Sequence, residues 1–307
     1  MSTETYNYCV YDVLLQSDII IPEMAPVAAD TAKAETALPV HISLSTVNTP
    51  PEDATQLGPF LWASNQQLWL FVPKVAKFHI TKGERICVEP EPGVDLDSVR
   101  LFLLGSALGA LLFQRNLLVM HGNAVRVGNQ CVICVGRSGI GKSTLAAKLM
   151  QRGYPVLADD VVPIDTDGFA LAGVPRIKLW QDSAAQLKFN TKKLSRIRPG
   201  IEKFQVPLHA QYCSDKVPVR WIYILNTERR RNGIEIEPIT GFQRFNPLRR
   251  NTYRLQYLEG MKLQADHLKL VGKLASRVHL ARVVRPEGEF LLDELADKIL
   301  ADIAANG

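Results

Sequence analysis

Gly136-Arg137-Ser138-Gly139-Ile140-Gly141-Lys142-Ser143 fills every fixed position of the phosphate-cradling pattern G-x-x-x-x-G-K-[ST]. Its glycines let the backbone turn tightly, so that successive N–H groups face one anion without Cβ interference. Lys142 is placed to reach the β- and γ-phosphates, and the Ser143 hydroxyl to sit on Mg²⁺. The pattern carries weight only between a strand and a helix, and both are present. Cys131-Val132-Ile133-Cys134-Val135 is a short apolar run of the kind a buried strand shows. Leu145, Leu149 and Met150 follow at helical spacing among alanines, and Gly153 stands where a helix C-terminus ends. The stretch predicts an α/β fold with a bound nucleoside triphosphate. By itself it does not say where the phosphate goes.

Outward on the C-terminal side, Tyr154-Pro155-Val156-Leu157-Ala158 reads as a second strand ending on Asp159-Asp160. In a parallel α/β sheet, ligands bind at the carboxyl ends of strands. Strand, loop, helix and strand therefore bring this acidic pair towards the phosphate loop. One carboxylate can hold Mg²⁺ and the other can accept a proton from an attacking hydroxyl. Adjacent carboxylates also repel, which raises one pKa towards the range useful for a base.

Outward on the other side, Leu118 to Val127 reads as a strand joined to the loop's own strand by the turn pair Gly128-Asn129. A helix is expected over 98–115. Its apolar run, Leu101 to Phe113, is shorter than a bilayer span and suits a buried helix. Residues 1–97 read as a mostly β leading region, with strands at 8–15, 67–72, 78–80 and 85–89, and an Ala-rich loop over 25–39. Residues 98–307 form the nucleotide core, with further strands at 221–226 and 234–239 around a solvated Arg229-Arg230-Arg231-Asn232-Gly233 turn. A helix-rich end is expected from Asp266.

The chain has 307 residues, 47% hydrophobic and 22% charged, which is ordinary for a globular protein. Residues 1–130 hold 8 Lys and Arg against 13 Asp and Glu, whereas 131–307 hold 28 against 18. A basic second part suits nucleotide phosphates and an acidic partner. No recognised nucleic-acid-binding motif is present. The opening Met1-Ser2-Thr3-Glu4-Thr5 lacks the features of a signal peptide, and a cytoplasmic protein with no membrane partner is expected. Cys131 and Cys134 form a C-x-x-C, but no second pair completes a zinc site, so they read as small buried thiols.

Three strings together resemble one family: His121-Gly122-Asn123-Ala124-Val125, the loop over 136–144, and Arg152-Gly153-Tyr154-Pro155-Val156-Leu157-Ala158-Asp159-Asp160. They are similar to the catalytic domain of HPr kinase/phosphorylase, itself related to the nucleotide core of phosphoenolpyruvate carboxykinase. The chain also resembles a divergent branch of lasso-peptide clusters. The shared features there are the opening around Tyr11-Asp12-Val13, the Pro175-Arg176-Ile177-Lys178-Leu179-Trp180 segment and Glu202-Lys203-Phe204. The resemblance implies an ATP- and Mg²⁺-dependent serine kinase, acting on the C-terminal serine of a precursor peptide. Gly136, Ser138, Gly139, Ile140, Gly141, Lys142, Ser143 and Thr144 correspond to its nucleotide loop. Asp159 matches the general base, Asp160 the second acid and metal ligand beside Ser143, and His121 the histidine near them. Arg176, Lys178 and Lys203 are candidates for phosphate or a peptide carboxylate. The family's assembly implies a homo-oligomer, up to a hexamer.

One departure stands out. The family carries an acid-containing signature after the acidic pair, and Gly173-Val174-Pro175-Arg176 offers no acid there. A second metal ligand and a reverse phosphorylase reaction are therefore in doubt. A kinase of an HPr-like protein or of a small metabolite, and a regulatory nucleotide-binding module without transfer, stay open.

Overall fold

The computed structural model describes residues 5–28 and 39–306. Most of the Ala-rich loop expected over 25–39 lies outside them. The packing divides the chain into two units. The first is residues 1–119 with 197–201 and 254–268, and the second is 120–196, 202–253 and 269–307. The sequence reading opens the nucleotide core at 98. By packing, the helix over 96–114 goes with the leading strands instead.

The first unit is mostly β, as its short alternating runs predict. Its strands are β1 (Tyr6–Val10), β2 (Val13–Ser17), β3 (Val40–Leu44), β4 (Thr55–Gly58), β5 (Leu61–Ser64), β6 (Gln67–Val72), β7 (Ala76–Thr81) and β8 (Arg85–Pro90). They form one sheet in the order β1-β2-β3-β8-β7-β6-β5-β4, antiparallel except where β3 joins β2 and β8. The single strand expected over 8–15 is in fact the hairpin β1–β2. Tyr11 and Asp12 both take left-handed backbone at φ 56° and 53°, the geometry of a two-residue turn. No glycine or asparagine marks it, so the apolar run hid the bend.

Helices α1 (Leu96–Phe102) and α2 (Leu108–Gln114) are joined through a π-helical turn at Leu103–Ala107. Asp95 caps the start by accepting from the Ser98 N–H at 2.7 Å. The stretch Leu96–Gln114 is long and apolar enough to cross a membrane by composition, but most of it is buried inside the protein. At its far end Gln114 accepts from the Gly83 N–H at 2.7 Å, and Arg115 donates to the Gly83 carbonyl at 2.6 Å.

The second unit begins with β9 (Leu118–Val127) and β10 (Gln130–Val135), the hairpin read from the sequence. Then come α3 (Lys142–Gln151), β11 (Val156–Ile164), β12 (Phe169–Ala170), β13 (Arg176–Trp180), α4 (Gln181–Gln186), β14 (Lys203–Pro207), β15 (Val217–Glu228) and β16 (Glu235–Pro238). The chain continues through α5 (Phe245–Arg250), α6 (Gln256–Gly260), α7 (Gln264–Arg277), β17 (His279–Pro286) and α8 (Leu292–Asn306), of which α6 and the start of α7 belong to the first unit. The main sheet runs β10-β9-β11-β12-β15-β17-β16, and β10 also pairs with β15, so five strands close into a ring. β10, β15 and β17 are mutually parallel, while β9 is antiparallel to β10. β13 and β14 form a separate two-stranded ribbon.

Leu145, Ala146 and Leu149 turn one face of α3 into the core against Val132, Cys134 and α8 residues Leu295 and Ile299. Cys131 and Cys134 are buried free thiols, and burial pushes the Cys134 thiol up to about 12. The arginine turn at 229–233 is not simply solvated. β17 lies between β15 and β16, and Arg231 is drawn in by Glu228, Glu235 and Glu237.

Candidate active site

The register of the β9–β10 hairpin sets the site. Gly122 stands opposite Val135, which leaves His121 beside the first residue of the phosphate loop. The loop needs its glycines at two places in particular. Gly136 has φ 142°, and a Cβ there would come within 2.7 Å of the Leu225 carbonyl oxygen on β15. Gly141 caps α3 at φ 98°, a conformation costly for any residue with a side chain. From that cap, Lys142 through Thr144 open the helix with their N–H groups free of intrahelical partners. That end is an anion seat by geometry and by dipole.

With the loop in this form, Lys142 folds back over it. Its Nζ donates to the Gly136 carbonyl at 2.8 Å and the Arg137 carbonyl at 3.2 Å. It also lies 3.3 Å from His121 Nε2. Burial pushes both Lys142 and His121 below their usual pKa values. His121 Nδ1 is 3.1 Å from the Asp160 carbonyl oxygen and 3.3 Å from its Oδ1. These neighbours assign the neutral tautomer: Nδ1–H donates to Asp160, and Nε2 accepts from the Lys142 ammonium. Beneath them, buried Asn123 donates to the Lys142 carbonyl at 2.5 Å and ties β9 to the start of α3.

The acidic pair does not end its strand, as the sequence reading has it, because β11 runs on to Ile164. Adjacent residues of a regular strand face opposite sides, yet Asp159 and Asp160 both line the same cleft. Asp160 sits at φ 76°, and this left-handed residue breaks the alternation. Aspartate tolerates that region better than most residues, and such strain gathers at functional sites.

The two carboxylates have different neighbours. Asp159 Oδ1 accepts from the Ser143 hydroxyl at 2.8 Å, and its Oδ2 accepts from the Lys178 backbone N–H at 2.9 Å. Burial holds its pKa above the usual range despite the Lys178 charge. Asp160 Oδ2 is 2.5 Å from Lys178 Nζ. Burial pushes Asp160 upward too, but Lys178, His121 and Lys203 outweigh it and hold the carboxyl far below its usual value. One site thus holds two adjacent acids with divided pKa values.

The cleft these residues line has a volume of about 240 Å³. Ser138, Gly139, Ile140, Gly141, Lys142, Ser143 and Thr144 form one wall, with His121, Asp159 and Asp160 as its floor. Lys178 and Lys203 reach it from the β13–β14 ribbon, and Lys203 lies 5.4 Å over the Trp180 ring. Burial and the neighbouring Lys178 charge push the Lys203 pKa down. Two of the sequence-derived residues stand differently. Gly136 forms the loop's base through its carbonyl, and Arg176 does not line the cleft. The Arg176 guanidinium is buried and donates to Gln205 across the ribbon.

Sequence reasoning passed over Arg285, Trp180, Ser183, Phe290 and Leu291, which also line the cleft. Arg285 was within reach of topology alone. It stands at the carboxyl end of a strand parallel to β15 and, through it, to β10, the edge where ligands bind.

The site's oxygen donors suit a hard cation. Ser143 and Asp159 already share a hydrogen bond, and Asp160 is adjacent. No group of three or more His, Cys, Asp or Glu able to hold a metal exists among the described residues. That donor set fits Mg²⁺, which is usually held by one or two protein oxygens plus phosphates, rather than a soft-metal cage.

Comparison with known proteins agrees with this geometry over the same stretch. Residues 115–179 match the family model of the HPr Serine kinase C-terminal domain. The chain is 38% identical over 61 residues to an HPr kinase/phosphorylase of Clostridium botulinum, covering 20% of each chain. It is 48% identical over 48 residues to one of Chlorobium phaeobacteroides, covering 16% of this chain and 15% of that one. The match thus spans about a fifth or less of these relatives' length. The solved Hpr(Ser) kinase/phosphatase of Coxiella burnetii aligns with a TM-score of 0.32 and 12% identity, over 62% of this chain and 99% of that one. By the sequence matches alone, the segment over 115–179 is HPr-kinase-like.

Proposed function

We propose that an HPr-kinase-like phosphate loop, folded into an α/β unit with its acidic pair, serves here as the catalytic centre of an ATP-dependent serine kinase. The observation that carries this reading is the meeting of three separate segments in one cleft. The loop supplies the anion seat, β11 supplies two differently tuned acids, and the β13–β14 ribbon supplies two lysines. A module that only binds nucleotide has no need of the second acid and its cationic partner.

We assign the two acids the other way round from the sequence-based expectation. Asp159 accepts from Ser143, so a cation on the Ser143 hydroxyl has Asp159 beside it, and Mg²⁺ when bound would neutralise phosphate charge there. Asp160 faces His121 and Lys178 rather than Ser143, and its carboxylate lines the cleft, where it orients the acceptor hydroxyl. Lys178 keeps it ionised. A low pKa is tolerable in that role, since phosphoryl transfer through a loose transition state asks for orientation more than early proton removal. As the new O–P bond forms, the bond from the γ-phosphorus to the β-phosphate oxygen breaks and ADP leaves; the serine proton passes late to Asp160 and on to solvent, which returns the carboxylate to its ionised form. Lys142 and the loop N–H groups hold charge on the transferring group. His121, hydrogen-bonded to Asp160 and facing Lys142, keeps both in place.

The acceptor is read as a short peptide with a C-terminal serine, such as a lasso-peptide precursor. Lys178 and Lys203 form a cationic rim suited to its carboxylate, whereas Arg176 has its guanidinium turned to Gln205. Incubating the chain with ATP, Mg²⁺ and such a peptide, then weighing the peptide by mass spectrometry, tests this directly. A gain of one or more phosphates on the serine supports the reading. Nucleotide binding without transfer to the peptide, HPr or water turns it into a regulatory module.

A further inference from the structure

One side of the cleft has no part in the phosphate chemistry. Phe290 lines it while remaining 52% exposed, and Leu291 lies beside it. Phe290 thus sets an exposed phenyl ring on the rim of the cleft, an apolar face beside the phosphate loop.

Two devices hold this apolar surface against the phosphate loop. The first is Arg285 at the end of β17. Its half-buried guanidinium donates to the Ile140 carbonyl at 3.0 Å and to the Glu289 carbonyl at 3.2 Å. One planar group thus joins the loop backbone to the turn that delivers Phe290. The second is the start of α8. Asp293 pairs with Lys148 at 2.6 Å and Arg152 at 2.8 Å, and Asp297 pairs with Arg152 at 2.6 Å. Lys148 stands on α3 and Arg152 at its C-terminal cap, and α3 grows directly out of the loop. The apolar surface is therefore fixed relative to the anion seat rather than hung on a free turn.

A polyphosphate has no use for such a surface, but a flat aromatic ring attached to the polyphosphate does. We propose that Phe290, backed by Leu291, is the stacking platform for the nucleobase of the bound nucleoside triphosphate. This rests on the reading that the loop over 136–143 binds a nucleotide. Every base presents a π-face, so stacking on a phenyl ring needs no hydrogen bond to the base edge.

Calorimetric titration of the full chain with ATP and with inorganic tripolyphosphate, each with Mg²⁺, separates the two halves of the ligand. Phe290→Ala is expected to weaken ATP roughly tenfold while changing tripolyphosphate affinity less than about twofold. Phe290→Trp, which keeps a stacking face, is expected to retain ATP affinity. Lys142→Ala should weaken both ligands. The proposal is overturned if Phe290→Ala leaves ATP unchanged, weakens both ligands alike, or raises only the KM for the acceptor peptide, which would give this surface to the acceptor. Wild-type protein that binds tripolyphosphate as tightly as ATP also overturns it. Binding of neither ligand removes the nucleotide reading and this proposal with it.

Discussion

The two charged walls of the cleft are built by different means. The phosphate loop is one continuous segment, and its anion seat is made mainly of backbone N–H groups shaped by Gly136, Gly139 and Gly141. The facing wall is made of side chains. Lys178 and Lys203 sit on paired strands of the β13–β14 ribbon, where Lys178 stands opposite Gln205 and Lys203 opposite Trp180. Between the walls lie Asp159, bonded to the loop's Ser143, and Asp160, bonded to the ribbon's Lys178. The acidic pair is thus divided by its side-chain partners, the loop's hydroxyl for Asp159 and the ribbon's ammonium for Asp160, while the Lys178 backbone N–H also reaches Asp159. A backbone seat binds any polyphosphate and resists tuning. A side-chain wall can be tuned residue by residue, which suits the end of the site that chooses the acceptor.

The comparison is broken most sharply at Lys142. If the loop wall carries the transferring charge, Lys142→Ala should lower phosphoryl transfer by about 10²–10³-fold or more, measured by label transfer from ATP, with an unchanged melting curve. A rate within a few-fold of wild type would take the loop out of the chemistry. Next comes the division between the acids. Asp160→Asn should reduce transfer by roughly 10²–10⁴-fold with little loss of Mg²⁺-nucleotide affinity, while Asp159→Asn should lose affinity as well. Equal affinity losses in both variants would return the acids to indistinguishable roles.

Gly136→Ala tests the backbone wall through stability. Its Cβ would meet the Leu225 carbonyl oxygen at 2.7 Å in a left-handed conformation, so a loss of about 1–3 kcal/mol is expected by denaturant melting.

Lys178→Met tests the side-chain wall through pH. In the wild type, Asp160 has a depressed pKa, so its ionised form persists as pH falls well below the usual carboxylate range. With Lys178 gone, burial is less opposed and the Asp160 pKa rises. The acid limb of the kcat/KM profile should therefore move to higher pH, into the measurable range. An unmoved limb would separate Lys178 from Asp160 in function. The smallest effect is expected at Arg176. Arg176→Met should change nucleotide affinity by less than about twofold, since its guanidinium holds Gln205 outside the cleft.

The loop, its strand, its helix and the β9–β10 hairpin were all legible, because each rests on local signals within a few residues. The ends of that legibility are instructive. The β1–β2 turn was hidden because Tyr11 and Asp12 carry no glycine signature. Continuation of β11 through Asp159-Asp160 was hidden because a left-handed aspartate inside a strand has no sequence mark. The sequence also named Arg176 beside Lys178, two positions apart on one strand. Both were equal candidates by composition, and only Lys178 enters the cleft. Arg285 and Phe290 lay more than a hundred residues from the loop, in a segment with no motif of its own.

What this chain determines by sequence alone is the anion seat. Glycines at set spacings, a lysine and a serine specify a loop whose conformation is dictated by its own backbone sterics. What only the tertiary structure decides is the company the seat keeps. The neutral His121 tautomer, the opposed pKa shifts of Asp159 and Asp160, the cationic rim of Lys178 and Lys203, and the apolar platform at Phe290 all depend on contacts between distant segments. Burial and Coulomb interactions act through space, and no spacing along the chain encodes them.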